Sequence, residues 1–130
     1  MKVSGKFEVT LKPLESYNHG TNGVKMGRMS IDKIFSGELS AVSKGEMINV
    51  ISSLSGCAGY AAIEQVSGKL SGKTGSFVLQ HLGTMDNQNN FLLIEVVSGS
   101  GTGELKGIAG KMSIRIENKQ HFYDFEYEID

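Results

Sequence analysis

The chain has little of the features that most quickly identify a protein class. Its 130 residues include one cysteine, one proline and no tryptophan. Because a disulfide needs two cysteines, Cys57 forms no bridge within the chain, and no charged neighbour in sequence activates its thiol. No apolar run approaches a membrane span, and the start, Met1–Glu8, lacks the apolar run of a signal peptide. We therefore expect a cytoplasmic protein with no membrane partner.

Blocks of like charge and metal-binding motifs are also missing. The formal net charge is −1, and basic residues alternate with acidic ones, which excludes nucleic acid as the main partner because it needs a concentrated basic surface. His19, His81 and His121 lie far apart in sequence, so they form no metal motif. The glycine-rich segment 98–103 lacks the Lys-Ser/Thr ending of a phosphate loop. We predict no metal and no cofactor.

Glycine, in contrast, is abundant, at 17 residues. A Gly-Leu-Gly phrase recurs in full at Gly68–Gly75 and Gly103–Gly110 and in part at Gly37–Leu39, each time before a segment with β-type alternation. Recurring glycine turns between alternating segments indicate one sheet folded back on itself several times. Such a glycine content is also unusual for a helical protein, since glycine destabilises helix interiors.

Period-two alternation predicts eight strands and no convincing helix. In the first strand, Val3, Gly5, Phe7, Val9 and Leu11 share one face. The others span about 25–35, 38–51, 59–70, 75–83, 91–97, 103–117 and 121–129. Eight sequential strands with short links favour an all-β fold, a closed antiparallel barrel of about eight strands that forms a single domain, 1–130. The interior of such a barrel is either filled by side chains or holds one small molecule.

The last hairpin gives a testable register. With Asn118-Lys119 as its turn, an inner aromatic stripe and an outer charge pair separate cleanly onto two faces. The inner pairs are Ile116–His121, Ile114–Tyr123, Met112–Phe125 and Gly110–Tyr127, and the outer ones include Lys111–Glu126, Ser113–Asp124 and Arg115–Phe122. Phe7, Val9, Ile114, Tyr123 and Phe125 are therefore predicted to be largely buried, and Lys6, Glu8, Lys111 and Glu126 to be exposed.

The fourth strand carries Glu64 on its more apolar face, together with Tyr60. A carboxylate on the inner face of a barrel needs a partner, because burying it alone is costly. If the loop after the strand has an even number of residues, Glu64 shares its face with His81, directly opposite or one step diagonal. If the number is odd, Gln80 becomes the neighbour. We favour the even loop, because Phe77 then falls on the apolar face.

These faces supply the candidate site. Glu64 and His81 are the candidate catalytic pair, since a carboxylate that orients an imidazole can support proton transfer. The alternative is a buried polar pair that satisfies itself and stabilises the strand register. The candidate ligand-binding residues are Tyr60, Glu64, Gln80, His81, His121, Tyr123 and Tyr127, although the last three could equally be aromatic core.

Three segments resemble a bacterial family of uncharacterised proteins, known as a domain of unknown function. They are Gly59–Glu64, Gly75–Met85 and Gly99–Leu105, and the resemblance extends to the ending His121–Phe125. It implies a barrel similar to that of allene oxide cyclase and no established reaction. No cyclase catalytic motif aligns with these residues, so the resemblance assigns no catalytic residue.

Three functions are compatible with these observations. We rank binding of a small apolar molecule in the lumen first. An enzyme with isomerase- or cyclase-like acid–base chemistry through Glu64 and His81 comes second, and a packed barrel that serves in an assembly comes third. Homo-oligomerisation is compatible with all three.

Overall fold

A computed structural model describes all 130 residues and contains eight antiparallel strands. They are β1 (Lys2–Leu14), β2 (Lys25–Gly37), β3 (Leu39–Ile51), β4 (Cys57–Leu70), β5 (Lys73–Asp86), β6 (Asn89–Val96), β7 (Ile108–Glu117) and β8 (Gln120–Ile129). Each strand pairs with the next, and β8 pairs with β1, so the sheet closes into a barrel. The fold is the closed eight-stranded antiparallel barrel that the alternation predicts.

Short turns set the register of the hairpins. Asn118 and Lys119 between β7 and β8 have φ values of 51° and 64°, as a two-residue turn with the twist of a hairpin requires. All the predicted pairs of this hairpin are confirmed, including Met112 with Phe125 and Lys111 with Glu126. Ser71 and Gly72 form the equivalent turn between β4 and β5, so the loop is even.

The prediction for the seventh strand was wrong at its start. Residues Gly103–Leu105 form a 3-10 turn, and β7 begins only at Ile108. Gly103 and Gly107 have φ values of +60° and +85°, a conformation that interrupts an extended strand. Leu105 is thereby turned into the core, where it is buried. Elsewhere the strand ends differ from the predicted ones by a few residues, and β5 is longer at both ends.

One end of the barrel is tightly filled. The rings of Phe77 and Phe125 stack at 5.6 Å between centroids, and those of Phe125 and Tyr127 at 5.3 Å. Leu39 and Leu70 complete this packing with almost no exposure. We call this region, where β2 ends and β3 begins, the packed end.

The opposite end is open. Leu11, Met85, Leu92 and Ile116 lie on the inward faces of their strands, yet they are between 44% and 67% exposed. For the same reason, Val9 and Ile114 are only half-buried, which corrects the prediction that they are largely buried. We call this region, where β1 ends and β2 begins, the open end.

The pairing between β6 and β7 is the shortest in the barrel. These strands share only two residue pairs, Ile94–Met112 and Glu95–Lys111. A depression of about 310 Å³ lies along this junction. The interior is therefore less completely enclosed on this side than along β2–β5, where each strand pairs along nearly its full length.

Candidate functional site

The candidate site lies at the junction of the packed and open ends and is centred on Glu64. Alternation along β4 directs Ala62, Glu64 and Val66 inward. The Glu64 side chain is 0% exposed. A carboxylate in this position is stable only with compensating partners, because water cannot solvate it.

Three side chains from three other strands supply hydrogen bonds to this carboxylate. Lys33 Nζ of β2 donates to Oε2 at 2.8 Å, and Ser43 Oγ of β3 donates to Oε1 at 2.6 Å. His81 Nε2 of β5 lies 2.6 Å from Oε2. Lys33 and His81 are themselves buried, and no buried side-chain polar atom of the chain lacks a partner. The site is a fully satisfied polar network inside an otherwise apolar barrel.

These contacts determine the acidity of Glu64. Burial by itself would raise the pKa of the Glu64 carboxyl, because it disfavours the charged form. The hydrogen bond from His81, the positive charge and hydrogen bond of Lys33 and the hydrogen bond from Ser43 outweigh burial and lower the pKa to about 2. Glu64 is therefore a carboxylate at neutral pH, and it does not act as an acid there.

The network continues from His81 toward the open end. His81 Nδ1 lies 3.2 Å from the hydroxyl oxygen of Tyr60, which is half-buried on β4. Burial, followed by the negative charge of Glu64, raises the pKa of Tyr60. The phenol is therefore protonated at neutral pH. Of the three hydrogen-bonded groups Glu64, His81 and Tyr60, Tyr60 lies nearest the open end.

Two glycines make room for this chain of groups. A Cβ on Gly83 of β5 would overlap the ring of Tyr60, and a Cβ on Gly45 of β3 would overlap the backbone of β4 beside Glu64. Both positions face inward and pair with the residues that they accommodate. A side chain at either position would displace the phenol or the carboxylate.

The structure separates the other predicted ligand-binding residues from this network. Gln80 faces outward and contacts Glu95 at 3.3 Å, so the odd-loop alternative is wrong. His121 is half-buried beside the ring of Phe7. Tyr123 and Tyr127 lie in the packed end, where their hydroxyl groups bond to the backbone of Ser36 and Leu39 and to Ser71, respectively.

Sequence reasoning missed Lys33 and Ser43. The signal for Lys33 was present, because it lies between Ile31 and Phe35 on one face of β2, where a lysine interrupts an apolar series. Ile34 on the other face is also apolar, and it is exposed, which obscured the alternation. Ser43 gives no signal, since a serine fits either face of a strand.

The structure brings no three His, Cys, Asp or Glu side chains together in an arrangement that could hold a metal ion. Cys57 is half-buried and unpaired, with its sulfur 3.6 Å from Asp86 Oδ1. None of the helical structure is long and apolar enough to cross a membrane.

Comparison with known proteins identifies relatives without assigning them a reaction. A family model described as "Protein of unknown function (DUF3224)" matches residues 3–127. No curated protein matches the chain. A crystal structure of a DUF3224 protein of unknown function from Shewanella oneidensis MR-1 is similar, with a TM-score of 0.97 and 54% identity. The match covers 100% of this chain and 98% of that one.

The family match thus spans nearly the whole barrel, including all four strands that contribute to the Glu64 network. The structural match extends over every residue of the chain, and the two proteins share the same fold. The chain belongs to the DUF3224 family of proteins of unknown function.

Proposed function

We propose that the open end binds a small molecule with an apolar body, and that Tyr60 provides a polar contact at the inner limit of this site. The observation that carries the proposal is the exposure of inward-facing apolar side chains at one end only. Ligand sites in proteins are typically concave, mostly apolar and equipped with a few polar groups. The exposed apolar side chains of Leu11, Met85, Leu92 and Ile116, with Tyr60 on the same inner face and in register with Leu92 through Gly83, match this composition.

The same observation favours a ligand over a wholly packed barrel. The packed end shows that this sequence can fill its interior completely, with Leu70, Phe77 and Phe125 essentially unexposed. Toward the open end the ring contacts are tilted rather than stacked, as between Phe7 and His121, and His121 is only half-buried. Filling one end and not the other leaves apolar surface facing water, which a bound molecule would cover.

The test is binding of the neutral apolar dye 1-aminoanthracene, which carries an N–H donor, followed by its fluorescence. Met85→Trp places a bulky ring on the inward face at the open end and should weaken binding at least tenfold. Thr84→Trp places the same ring on the outward face one residue earlier and should leave binding unchanged. Absence of dye binding by the unmodified protein, or an equal effect of the two variants, would overturn the proposal.

A second candidate function, acid–base catalysis, is favoured by one specific observation, the continuous chain Tyr60–His81–Glu64. A proton from a bound molecule could pass to the Tyr60 oxygen as the Tyr60 proton passes to His81 Nδ1. The electron pair of the broken bond stays on the substrate, which becomes an anion. His81 becomes an imidazolium, which lies beside the Glu64 carboxylate. Such a proton abstraction is the first step of many isomerase and cyclase reactions.

Hydrogen–deuterium exchange at the α-carbon of 2-tetralone in D₂O, followed by NMR, tests this second candidate. The unmodified protein should accelerate exchange, and Tyr60→Phe should abolish the acceleration. Lys119→Gln, in the exposed turn between β7 and β8, is the control. Lys119→Gln should accelerate exchange as much as the unmodified protein does. If the unmodified protein exchanges 2-tetralone no faster than buffer alone, the catalytic candidate is wrong and binding remains the proposed function.

A further inference from the structure

The hydrogen-bond network determines where the protons lie. A carboxylate can only accept hydrogen bonds, so the nitrogen of His81 that contacts Glu64 must carry a proton. That nitrogen is Nε2, at 2.6 Å from Oε2. The protonation of the other ring nitrogen, Nδ1, depends on whether His81 is charged.

The charges around Glu64 favour a neutral His81. Lys33, which lies 2.8 Å from the carboxylate and 5.1 Å from the centroid of the Phe7 ring, already neutralises it. A second buried cation would have no anion to balance it, and burying an uncompensated charge is costly. Neutral His81 with its proton on Nε2 has a lone pair on Nδ1.

The direction of the Tyr60 hydrogen bond follows. Since Nδ1 of neutral His81 can only accept, the Tyr60 hydroxyl must donate its single proton across the 3.2 Å contact. The Tyr60 oxygen then has only lone pairs left for any other partner. Asn49 is the cross-strand neighbour of Tyr60, and its side-chain amide can both donate and accept. It therefore does not favour a donor over an acceptor in the ligand.

We propose that the Tyr60 oxygen acts as a hydrogen-bond acceptor toward the open end, so that the ligand is an apolar molecule carrying a hydroxyl or N–H donor. A ligand that presents only an ether or carbonyl oxygen to Tyr60 would place that oxygen against the oxygen of Tyr60. This inference names the ligand class and rests on the proposed binding function.

The test compares 1-naphthol with 1-methoxynaphthalene, which keeps the rings and the oxygen but has no donor. Isothermal titration should show 1-naphthol binding about tenfold more tightly, as one hydrogen bond would give. In Tyr60→Phe the ring still covers His81, so the preference should disappear through weaker binding of 1-naphthol. Tyr17→Phe, at an exposed position in the loop after β1, should preserve it.

The outcomes separate the two proposals. Equal affinities, or tighter binding of the ether, would overturn the ligand class and leave the binding function standing. Failure of both probes to bind would overturn both proposals. ¹⁵N NMR of the free protein gives a readout without ligand: the Nε2–H form of His81 is expected, and a proton on Nδ1 would overturn the ligand class.

A separate observation concerns the outer wall of the barrel. Ile48, Ala61, Leu82 and Leu93 are directly paired across β3, β4, β5 and β6, and they form an apolar row on the outside. Ile63 on the same side of β4 is one of several large side chains here that are 50% to 60% exposed. With residues from the neighbouring rows, this row lines a depression of about 690 Å³. We call it the apolar wall.

The opposite side of the barrel has a different character. The outward positions of β7, β8 and β1 are mainly charged, and Asp124 of β8 pairs with Arg115 of β7 at 2.8 Å. A charged wall keeps a barrel hydrated on that side, whereas an apolar wall of several paired residues is characteristic of an interface. Because each of β3, β4 and β5 is paired on both sides, this wall offers no free strand edge, and association through it occurs face to face.

We infer that the apolar wall packs against the same wall of a second copy of this chain. Four strands about 4.8 Å apart and three rows about 6.8 Å apart cover roughly 400 Å². That is about half of the 800 Å² that each partner buries in a standard interface, and a polar rim supplies the rest. The row Glu46–Ile63–Gln80–Glu95 is one of the three, and beyond it the exposed pair Lys44 and Gln65 lies in the position of such a rim.

Charge also favours a second copy as the occupant. A two-fold axis along the row Ile48–Ala61–Leu82–Leu93 would place the row that contains Glu46 and Glu95 of one copy over the row Val50–Gly59–Thr84–Phe91 of the other. That row has no charge, so no two glutamates oppose each other.

Sedimentation equilibrium tests this second inference. The unmodified protein should form a dimer with a dissociation constant in the micromolar range. Leu82→Lys should raise this dissociation constant at least tenfold. Val42→Lys adds the same charge at an exposed apolar position outside the row and should have no effect. A monomer up to millimolar protein, or equal dissociation by the two variants, would overturn it.

Discussion

His81 Nε2 lies 2.6 Å from Glu64 Oε2 although the two residues are not directly opposite each other in the sheet. The register of β4 and β5 pairs Glu64 with Leu79 and His81 with Ala62, so the two side chains meet diagonally. With Lys33 on β2 and Ser43 on β3, the carboxylate joins four adjacent strands. A slip of one residue in any of them would turn a member of the network outward.

Replacing Glu64 with Ala should therefore be strongly destabilising. The variant leaves Lys33 as a buried cation without a partner, which typically costs about 3–5 kcal/mol of the free energy of unfolding. Urea denaturation measures the loss. Glu8→Ala, at an exposed position on β1, is the matched control and should stay within about 0.5 kcal/mol.

Removing both charges separates the effect of the buried cation from that of the lost contacts. The double variant Lys33→Met/Glu64→Leu has no buried charge, so it should be more stable than Glu64→Ala alone. A double variant that is less stable than the single one would contradict this account of the network. It would indicate that the bonds to Ser43 and His81 matter more than the charge pair.

The low pKa of Glu64 predicts a specific loss of stability in acid. The folded-state pKa of about 2 lies below the ordinary value of 4.5, so the network contributes stability above pH 4.5 and loses it as the pH falls toward 2. The difference corresponds to about 3 kcal/mol. Urea denaturation at a series of pH values should show this decline, and Glu64→Gln should have a flatter profile between pH 5 and pH 2.

Much of the fold could be predicted from the sequence because its physical cause is local. Alternation determines which face of a strand is buried, and two-residue turns transmit that parity to the next strand. Alternation and turn length by themselves therefore place Glu64 and His81 on one inner face. The same logic located the turn at Asn118 and the pairs of the last hairpin.

The remainder depends on contacts that local patterns do not encode. Lys33 and Ser43 reach Glu64 from strands 31 and 21 residues away in sequence, so their roles follow from barrel closure rather than from spacing. The difference between the two ends is also global. Tyr123 and Tyr60 look alike in sequence, yet one lies in the packed end and the other faces the open end.

Gly83→Ala should displace Tyr60, because a Cβ at this position overlaps the phenol ring. We expect a loss of about 1–3 kcal/mol from overpacking, together with loss of the hydrogen bond from Tyr60 to His81. The ¹⁵N shift of His81 Nδ1 and urea denaturation measure the two effects.

Gly59→Ala is the matched control for Gly83→Ala, since its added Cβ would make only ordinary contacts, at 3.6 Å to Gly83 O and 3.7 Å to Val50 Cγ1. It should leave both measurements nearly unchanged. Equal effects of the two variants would show that glycine itself, and not the space for the phenol, is required in these strands.

Tyr123→Phe should reduce stability without affecting ligand binding. The Tyr123 hydroxyl accepts a hydrogen bond from the backbone N–H of Leu39 at 3.1 Å and donates one to the carbonyl of Ser36 at 2.9 Å. Removing it leaves a buried N–H without this partner, at a cost of about 1–3 kcal/mol by urea denaturation. Tyr17→Phe, at a fully exposed position, should cost nothing measurable. Because Tyr123 lies in the packed end, 1-aminoanthracene should bind this variant as tightly as the unmodified protein. A loss of dye affinity as large as that of Met85→Trp would mean that the ligand reaches the packed end, and that the barrel is not divided into a filled and an open half.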